Sequence, residues 1–128
     1  MPSQHADTMT ATDPERTVRD YYLKVDAGNI RGLVDLFAPD AQYLRPGYEP
    51  IVGHDGLEHF YTAERVIESG LHSLDQLIAS GRNVAVRGEF RGRLKNGHDA
   101  SLRFADFFTL TDNGLIAGRQ TFFDSPLV

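Results

Sequence analysis

Asp106 stands among residues that favour burial. The segment Leu102–Leu110 (LRFADFFTL) alternates with period two, so Leu102, Phe104, Asp106, Phe108 and Leu110 share one strand face. A carboxylate on such a face is costly unless it is paired or keeps its proton. Either an arginine from the next strand neutralises it, or the acid serves a reaction, as perturbed carboxyl groups often do. Other chemistries fit the residue pattern poorly. The histidines stand at 5, 54, 59, 72 and 98. His54 and His59 miss the four-residue helical spacing that puts two metal ligands on one face. Gly47, Gly53 and Gly56 match no phosphate-cradling loop. Ser69 and Ser73 lie beside His72 in sequence rather than on a nucleophile elbow. No metal and no cofactor is expected.

Composition narrows the partners. A chain of 128 residues is one domain with a real core. Its net charge of −5 and the lack of a basic stripe argue against nucleic acid. Without cysteine there is no disulfide, thiolate-bound zinc or thiol catalysis, which suits a reducing cytoplasm. No apolar run reaches the roughly 18 residues of a membrane span. Residues 1–12 are polar, lack the apolar core of a signal peptide and read as a disordered tail, leaving 13–128 as the domain.

The elements follow from periodicity. Thr12-Asp13-Pro14-Glu15 starts a helix that buries Val18, Tyr21, Tyr22 and Val25 and breaks at Gly28. Asn29 caps a second, through Ile30, Leu33, Val34 and Phe37 to Pro39. Ala41–Leu44 reads as a strand. His54-Asp55 opens a third helix with Leu57, Phe60, Tyr61, Glu64, Ile67 and Leu71 inward, ending at Gly70. Strands are expected at 71–80, 83–94, 98–110 and 115–123, joined in part by the turns Asn96-Gly97 and Asp112-Asn113-Gly114. Val84, Val86, Phe90 and Leu94 face inward; Arg87, Glu89, Arg91 and Arg93 face outward as a solvated or subunit-contacting surface. Helices first and long antiparallel strands after give an α+β fold, a curved sheet over helices.

The segments YYLKVDAGN (21–29), LVDLFAPDA (33–41), VGHDGLEHFY (52–61) and DFFTLTDNGLIAGRQTFF (106–123), in this order, resemble the NTF2-like superfamily, in its SnoaL-like and ketosteroid-isomerase-like branch. The resemblance implies an NTF2-like cone of three N-terminal helices in a mostly antiparallel sheet. In ketosteroid isomerases a tyrosine of the first helix and a protonated aspartic acid of a late strand form an oxyanion hole. Tyr21 and Asp106 fall at those positions, Tyr61 at that of a supporting tyrosine, and Phe37 where a further tyrosine often stands. The general base departs from the pattern. Its aspartate, just before a proline, is replaced in Leu44-Arg45-Pro46-Gly47-Tyr48 by Arg45, which is no base at ordinary pH. Related polyether epoxide hydrolases and cyclases pair that aspartate with a second acid, whose place falls at or near His72.

The cone implied by the resemblance collects Tyr21, Arg45, Tyr48, Tyr61, Glu64, His72, Asp106 and Arg119, with walls from Phe37, Phe60, Phe90, Phe108 and Phe123. That is the makeup of a small-molecule site. His72 suits proton transfer by type, and a backbone-bonded strand-end histidine is the plain alternative. Asp106 either orients His72 as a carboxylate or, protonated, donates to a substrate oxygen beside Tyr21. Tyr21 and Tyr61 also suit the core, with the hydroxyl at its rim. Arg45 and Tyr48 would hold a carboxylate or carbonyl ligand at the mouth, unless Arg45 pairs with Glu64 or Asp106. Glu64 is a second candidate base and a partner for Arg45 or Arg119. Arg119 shares a face with Phe123 and can reach Asp106.

The expected function is therefore a cofactor-independent acid/base enzyme on a hydrophobic oxygenated small molecule of polyketide type. It would work by cyclisation, isomerisation or dehydration. An epoxide hydrolase or cyclase and a non-catalytic binding or dimerisation domain are the alternatives. A homodimer follows from the resemblance. On the catalytic reading, Asp106→Asn removes turnover with little loss of fold.

Overall fold

The computed structural model describes residues 13–125; the expected tail at 1–12 lies outside them. Helix α1 (Pro14–Asp26) starts where Asp13 accepts hydrogen bonds from the backbone N–H groups of Glu15 at 3.1 Å and Arg16 at 3.5 Å. It buries Val18, Tyr21, Tyr22 and Val25 and stops before Gly28, whose φ of 72° reverses the chain at no side-chain cost. Asn29 caps α2 (Ile30–Val34) through Gly32 N–H at 2.9 Å.

Phe37 is a correction: it opens strand β1 (Phe37–Leu44) instead of closing α2. Pro39 sits in that strand, in the stretch where the pairing of β1 shifts register between Phe37 and Gln42, a place that needs no proline N–H. A short β2 (Ile51–Val52) follows, then α3 (Gly53–His59). The third helix does not run to Gly70. Its last turn, Phe60–Glu64, winds as a π-helix, and the chain is extended again at Arg65. The wider turn breaks the spacing from which inward positions were read. Phe60 and Tyr61 remain buried, whereas Glu64 is exposed and Leu71 is 67% exposed.

Strands β3 (Ile67–Ser80), β4 (Asn83–Leu94), β5 (Asp99–Leu110) and β6 (Ile116–Phe123) complete a six-stranded sheet ordered β2-β1-β6-β5-β4-β3. Only β1 and β6 run parallel. This is the expected α+β, NTF2-like arrangement. Register shifts on β3, between Ile67 and Ser69 and between Leu74 and Gln76, bend the edge over the helices. Glycines of β4 make room for that bend. A Cβ on Gly88 would lie 2.2 Å from the Ser73 carbonyl oxygen, and one on Gly92 the same distance from that of Ser69. The concave face carries Val84, Val86, Phe90, Leu102, Phe104, Phe108 and Leu110, and together with the helices it forms the core.

Candidate active site

Asp106 is fully buried on that face, and three donors meet it. Arg119 Nη2 donates to Oδ2 at 2.9 Å, Tyr22 OH donates to the same oxygen, and Thr121 Oγ1 donates to Oδ1. Register explains the partners. Thr121 lies directly across the β5–β6 ladder from Asp106, and Arg119 lies across from Phe108, the next residue on the same face. Since Thr121 spends its proton on Asp106, Tyr43 OH donates to Thr121 Oγ1 at 3.1 Å, and Arg45 Nη1 donates to Tyr43 OH at 2.7 Å. Asp106 thus has the partners of a structural carboxylate, with Arg119 as its ion pair. It shares no hydrogen bond with His72 or with Tyr21.

Arg119 carries the network onward. Its Nη1 donates to Tyr21 OH at 2.6 Å and to Tyr61 OH at 3.2 Å, and those two hydroxyls are hydrogen-bonded to each other. Arg119 Nε is buried with no hydrogen-bond partner. The guanidinium carbon lies 4.5 Å from the Tyr43 ring centroid and 4.7 Å from that of Tyr21. Burial raises the Tyr21 hydroxyl well above its ordinary pKa, against the opposing pull of Arg119. Burial also raises Tyr61, again opposed by Arg119. Both remain phenols. Two O–H protons are then available, and the bond between the two oxygens uses one. The other is not used between these two hydroxyls.

His72 is held from an unexpected side. Asp26, the last residue of α1, accepts from the backbone N–H of His72 at 2.9 Å and from Nδ1 at 2.6 Å. The ring packs between Tyr22, Phe90 and Phe104, at centroid distances of 5.2, 4.9 and 5.3 Å. Burial lowers the His72 pKa below 6.5; Asp26 opposes this, and the charges of Arg119 and Arg65 add to it. Burial prevails, so His72 is neutral at pH 7. Nδ1–H donates to Asp26, and Nε2 keeps its lone pair. An aspartate at a helix C-terminus runs against the helix dipole, and His72 supplies the reason for its position.

Tyr21, Arg45, Tyr61, His72, Arg119 and Phe123 all line one cavity, as do Arg65, Phe90 and Thr121. Its volume is about 20 Å³, room for about one water molecule. A ligand therefore enters only if side chains at the rim move. Arg45 lies between the Phe60 and Phe123 rings, 5.2 and 5.0 Å from their centroids. Tyr48 is half-buried against Phe60 and donates to the Glu64 carbonyl oxygen at 3.4 Å. Asp106 and Phe108 stand behind the cavity wall, and Phe37 packs on Tyr21. Glu64 is exposed and is not among the residues that line this cavity, contrary to its expected inward place. An adjoining groove of about 490 Å³ is lined by Asp26, Tyr61, Arg65, Ile67 and Lys95, among others.

Sequence reasoning assigned no role to Asp26, Tyr22, Tyr43, Thr121 or Arg65. Asp26 carried a signal in its clash with the helix dipole; the others depend on register and side-chain reach. Among the described residues, no three His, Cys, Asp or Glu side chains gather where they could hold a metal ion. No helix of the described residues is long and apolar enough to cross a membrane.

Residues 18–119 match the family described as SnoaL-like domain. No curated protein matches the sequence. Among solved structures, an NTF2-like protein of unknown function from Burkholderia pseudomallei is 25% identical with a TM-score of 0.80, over 88% of this chain and 92% of the other. TerC co-crystallised with polyporic acid is 22% identical with a TM-score of 0.77, over 87% and 91%. SalBIII, an epoxide hydrolase/cyclase-like enzyme in pyran ring formation in polyether salinomycin, is 22% identical with a TM-score of 0.74, over 96% and 94%.

Proposed function

Since the chain belongs to the SnoaL-like domain family, we propose that it is a cofactor-independent acid/base enzyme acting on a hydrophobic, oxygen-bearing small molecule of polyketide type. The observation that carries this reading is the Asp26–His72 pair at the cavity wall. With Nδ1–H fixed on Asp26, Nε2 is the nitrogen offered to a ligand. It would take a proton from a carbon next to a carbonyl. The electron pair moves onto the carbonyl oxygen, where the spare Tyr21/Tyr61 proton and Arg119 would stabilise the enolate. Where the enolate is conjugated with a C=C bond, return of the proton to the far carbon of that system isomerises the molecule. Loss of a β-hydroxyl as water dehydrates it, and attack of the enolate carbon on a second carbonyl closes a ring.

In this assignment Asp106 is a positioning residue that anchors Arg119. Arg45, Tyr48 and Phe123 would form the movable rim. The polyether and polyporic acid chemistry named for two structural neighbours agrees with an oxygenated ligand. Phe107 and Phe122, on the outer sheet face, are 53% and 48% exposed, and their rings meet at 5.9 Å. That patch supports pairing of two copies.

A non-catalytic binding domain is the second reading. It is favoured by the complete engagement of Asp106 and by the small cavity. Proton exchange separates the two. The protein in D₂O is mixed with a panel of cyclic 1,3-diketones and aryl ketones, and α-proton loss is followed by NMR. The enzyme reading expects at least one compound to exchange faster than with His72→Gln, by about 10²–10⁴. Equal rates for both proteins across the panel would leave the binding reading.

A further inference from the structure

Three residues, Tyr61, Arg65 and Ile67, line both the cavity and the adjoining groove, so they form the wall between them. Arg65 is the charged member of that wall. It follows the π-helical turn directly, and its guanidinium lies 5.7 Å from the Tyr61 ring centroid. It is half-buried, and it holds no ion pair among the described residues. Other arginines near carboxylates are served: Arg119 by Asp106, Arg103 by Asp75 and Glu89, Arg82 by Asp112. The groove's remaining charged residues do not serve it. Asp26 is committed to His72, Glu68 is exposed and unpaired with it, and Lys95 has the same sign.

A half-desolvated cation with only an aromatic face for company is an unmet electrostatic demand. Burial pulls its pKa down, with the nearby Arg45 charge acting in the same direction, yet a guanidinium stays protonated at any ordinary pH. Its planar fork matches two oxygens of a carboxylate or of an enolised dicarbonyl. It also borders His72's cavity, so an anion held there would keep the rest of the ligand near the proposed base.

We propose that Arg65 determines specificity at this site: it receives an organic anion, a carboxylate or ionised enol on an apolar ring, at the passage from the groove to the cavity. The proposal rests on reading the cavity as a ligand site and does not require turnover.

The probes are 1-naphthoate and 1-naphthamide, equal in shape and different in charge. Affinities are measured by calorimetry and by NMR shifts for wild type, Arg65→Gln and Arg65→Lys, each checked for cooperative thermal unfolding. Wild type is expected to prefer naphthoate by at least about ten-fold, the range of a charge-assisted hydrogen bond. Arg65→Gln should bring the ratio close to one with naphthamide binding unchanged. Arg65→Lys keeps the charge without the fork and should lose about three-fold or more of the preference. The proposal is overturned if naphthoate does not bind, if wild type treats the probes alike, or if the preference survives in the folded variants. A proton-exchange activity that fails while the Arg65-dependent preference holds would sink the acid/base reading alone.

Discussion

Replacing Asp106 by Asn tests whether the buried carboxylate is an anchor. Its oxygens serve Tyr22, Thr121 and Arg119, and its side chain and that of Arg119 are 0% and 4% exposed. Asn keeps the shape. Its carbonyl can still accept from Tyr22 and Arg119, and the Thr121 hydroxyl can turn to accept from the amide. What is lost is the charge. Arg119 would remain ionised in the core, held only by neutral groups, the amide carbonyl and the tyrosine hydroxyls, and by ring faces. Breaking one side of such a pair costs about 3–5 kcal/mol. Cation–π contacts at about 0.5–2 kcal/mol return part of that, so the lower end applies. About 3 kcal/mol is a large share of a small domain's stability and lowers its melting midpoint by on the order of 10 °C or more. Urea unfolding of wild type, Asp106→Asn, Arg119→Met and the double variant gives the coupling. The double variant should be more stable than the sum of the single losses implies, by about 1–3 kcal/mol. An Asp106→Asn protein within about 1 kcal/mol of wild type, or strictly additive losses, would refute the anchor. On the sequence reading an intact fold in Asp106→Asn goes with a catalytic Asp106, the alternative being an acid paired with an arginine; the contacts of Asp106 predict a loss of stability instead.

Further outcomes follow from the same contacts. Burial lowers the folded-state pKa of His72 below 6.5, so the unfolded chain binds its proton first on acidification. The stability contributed by neutral His72 is therefore complete above pH 6.5 and is lost as pH falls through the folded-state value. His72→Phe should flatten that part of a urea-midpoint against pH curve, and an unchanged slope would contradict it. Tyr21→Phe removes one of the two phenolic protons; turnover of any exchanged ketone should fall by about 10² with KM little changed, and a raised KM with intact kcat would make Tyr21 a mere contact. Gly88→Ala puts a methyl against the Ser73 carbonyl oxygen and should cost about 1–3 kcal/mol in urea unfolding, whereas a neutral result would mean that β3 yields easily.

The architecture was legible because period and punctuation agree. The buried stripe of α1, the caps at Asp13 and Asn29, and the alternation along β4 and β5 all stand where periodicity puts them. It was misread where backbone geometry changes without a residue that announces it. The π-turn at Phe60–Glu64 carries no proline or glycine, so the helical count ran on and turned Glu64 inward. Phe37 is apolar on helix or strand alike, and it is the pairing with Ile116 of β6, far along the chain, that puts it on β1. Within the site, the strand face of Asp106 and the approach of Arg119 could be read from alternation and antiparallel pairing. The choice of Tyr22 over Tyr21 as the hydroxyl on Asp106 could not, since both lie on the buried helix face. Asp26 and His72 are 46 residues apart and meet only through the packing of α1 on β3.

The central claim is that burial keeps His72 neutral while Asp26 holds its Nδ1–H, which leaves Nε2 as the nitrogen for a ligand. The direct measurement is the ¹⁵N-resolved NMR spectrum of the His72 ring across pH, in wild type and in Asp26→Asn. The account predicts the Nδ1–H tautomer at neutral pH, a pKa below the ordinary histidine value, and a further fall when Asp26 loses its charge. An Nε2–H tautomer, or a titration that Asp26→Asn leaves unmoved, would contradict it.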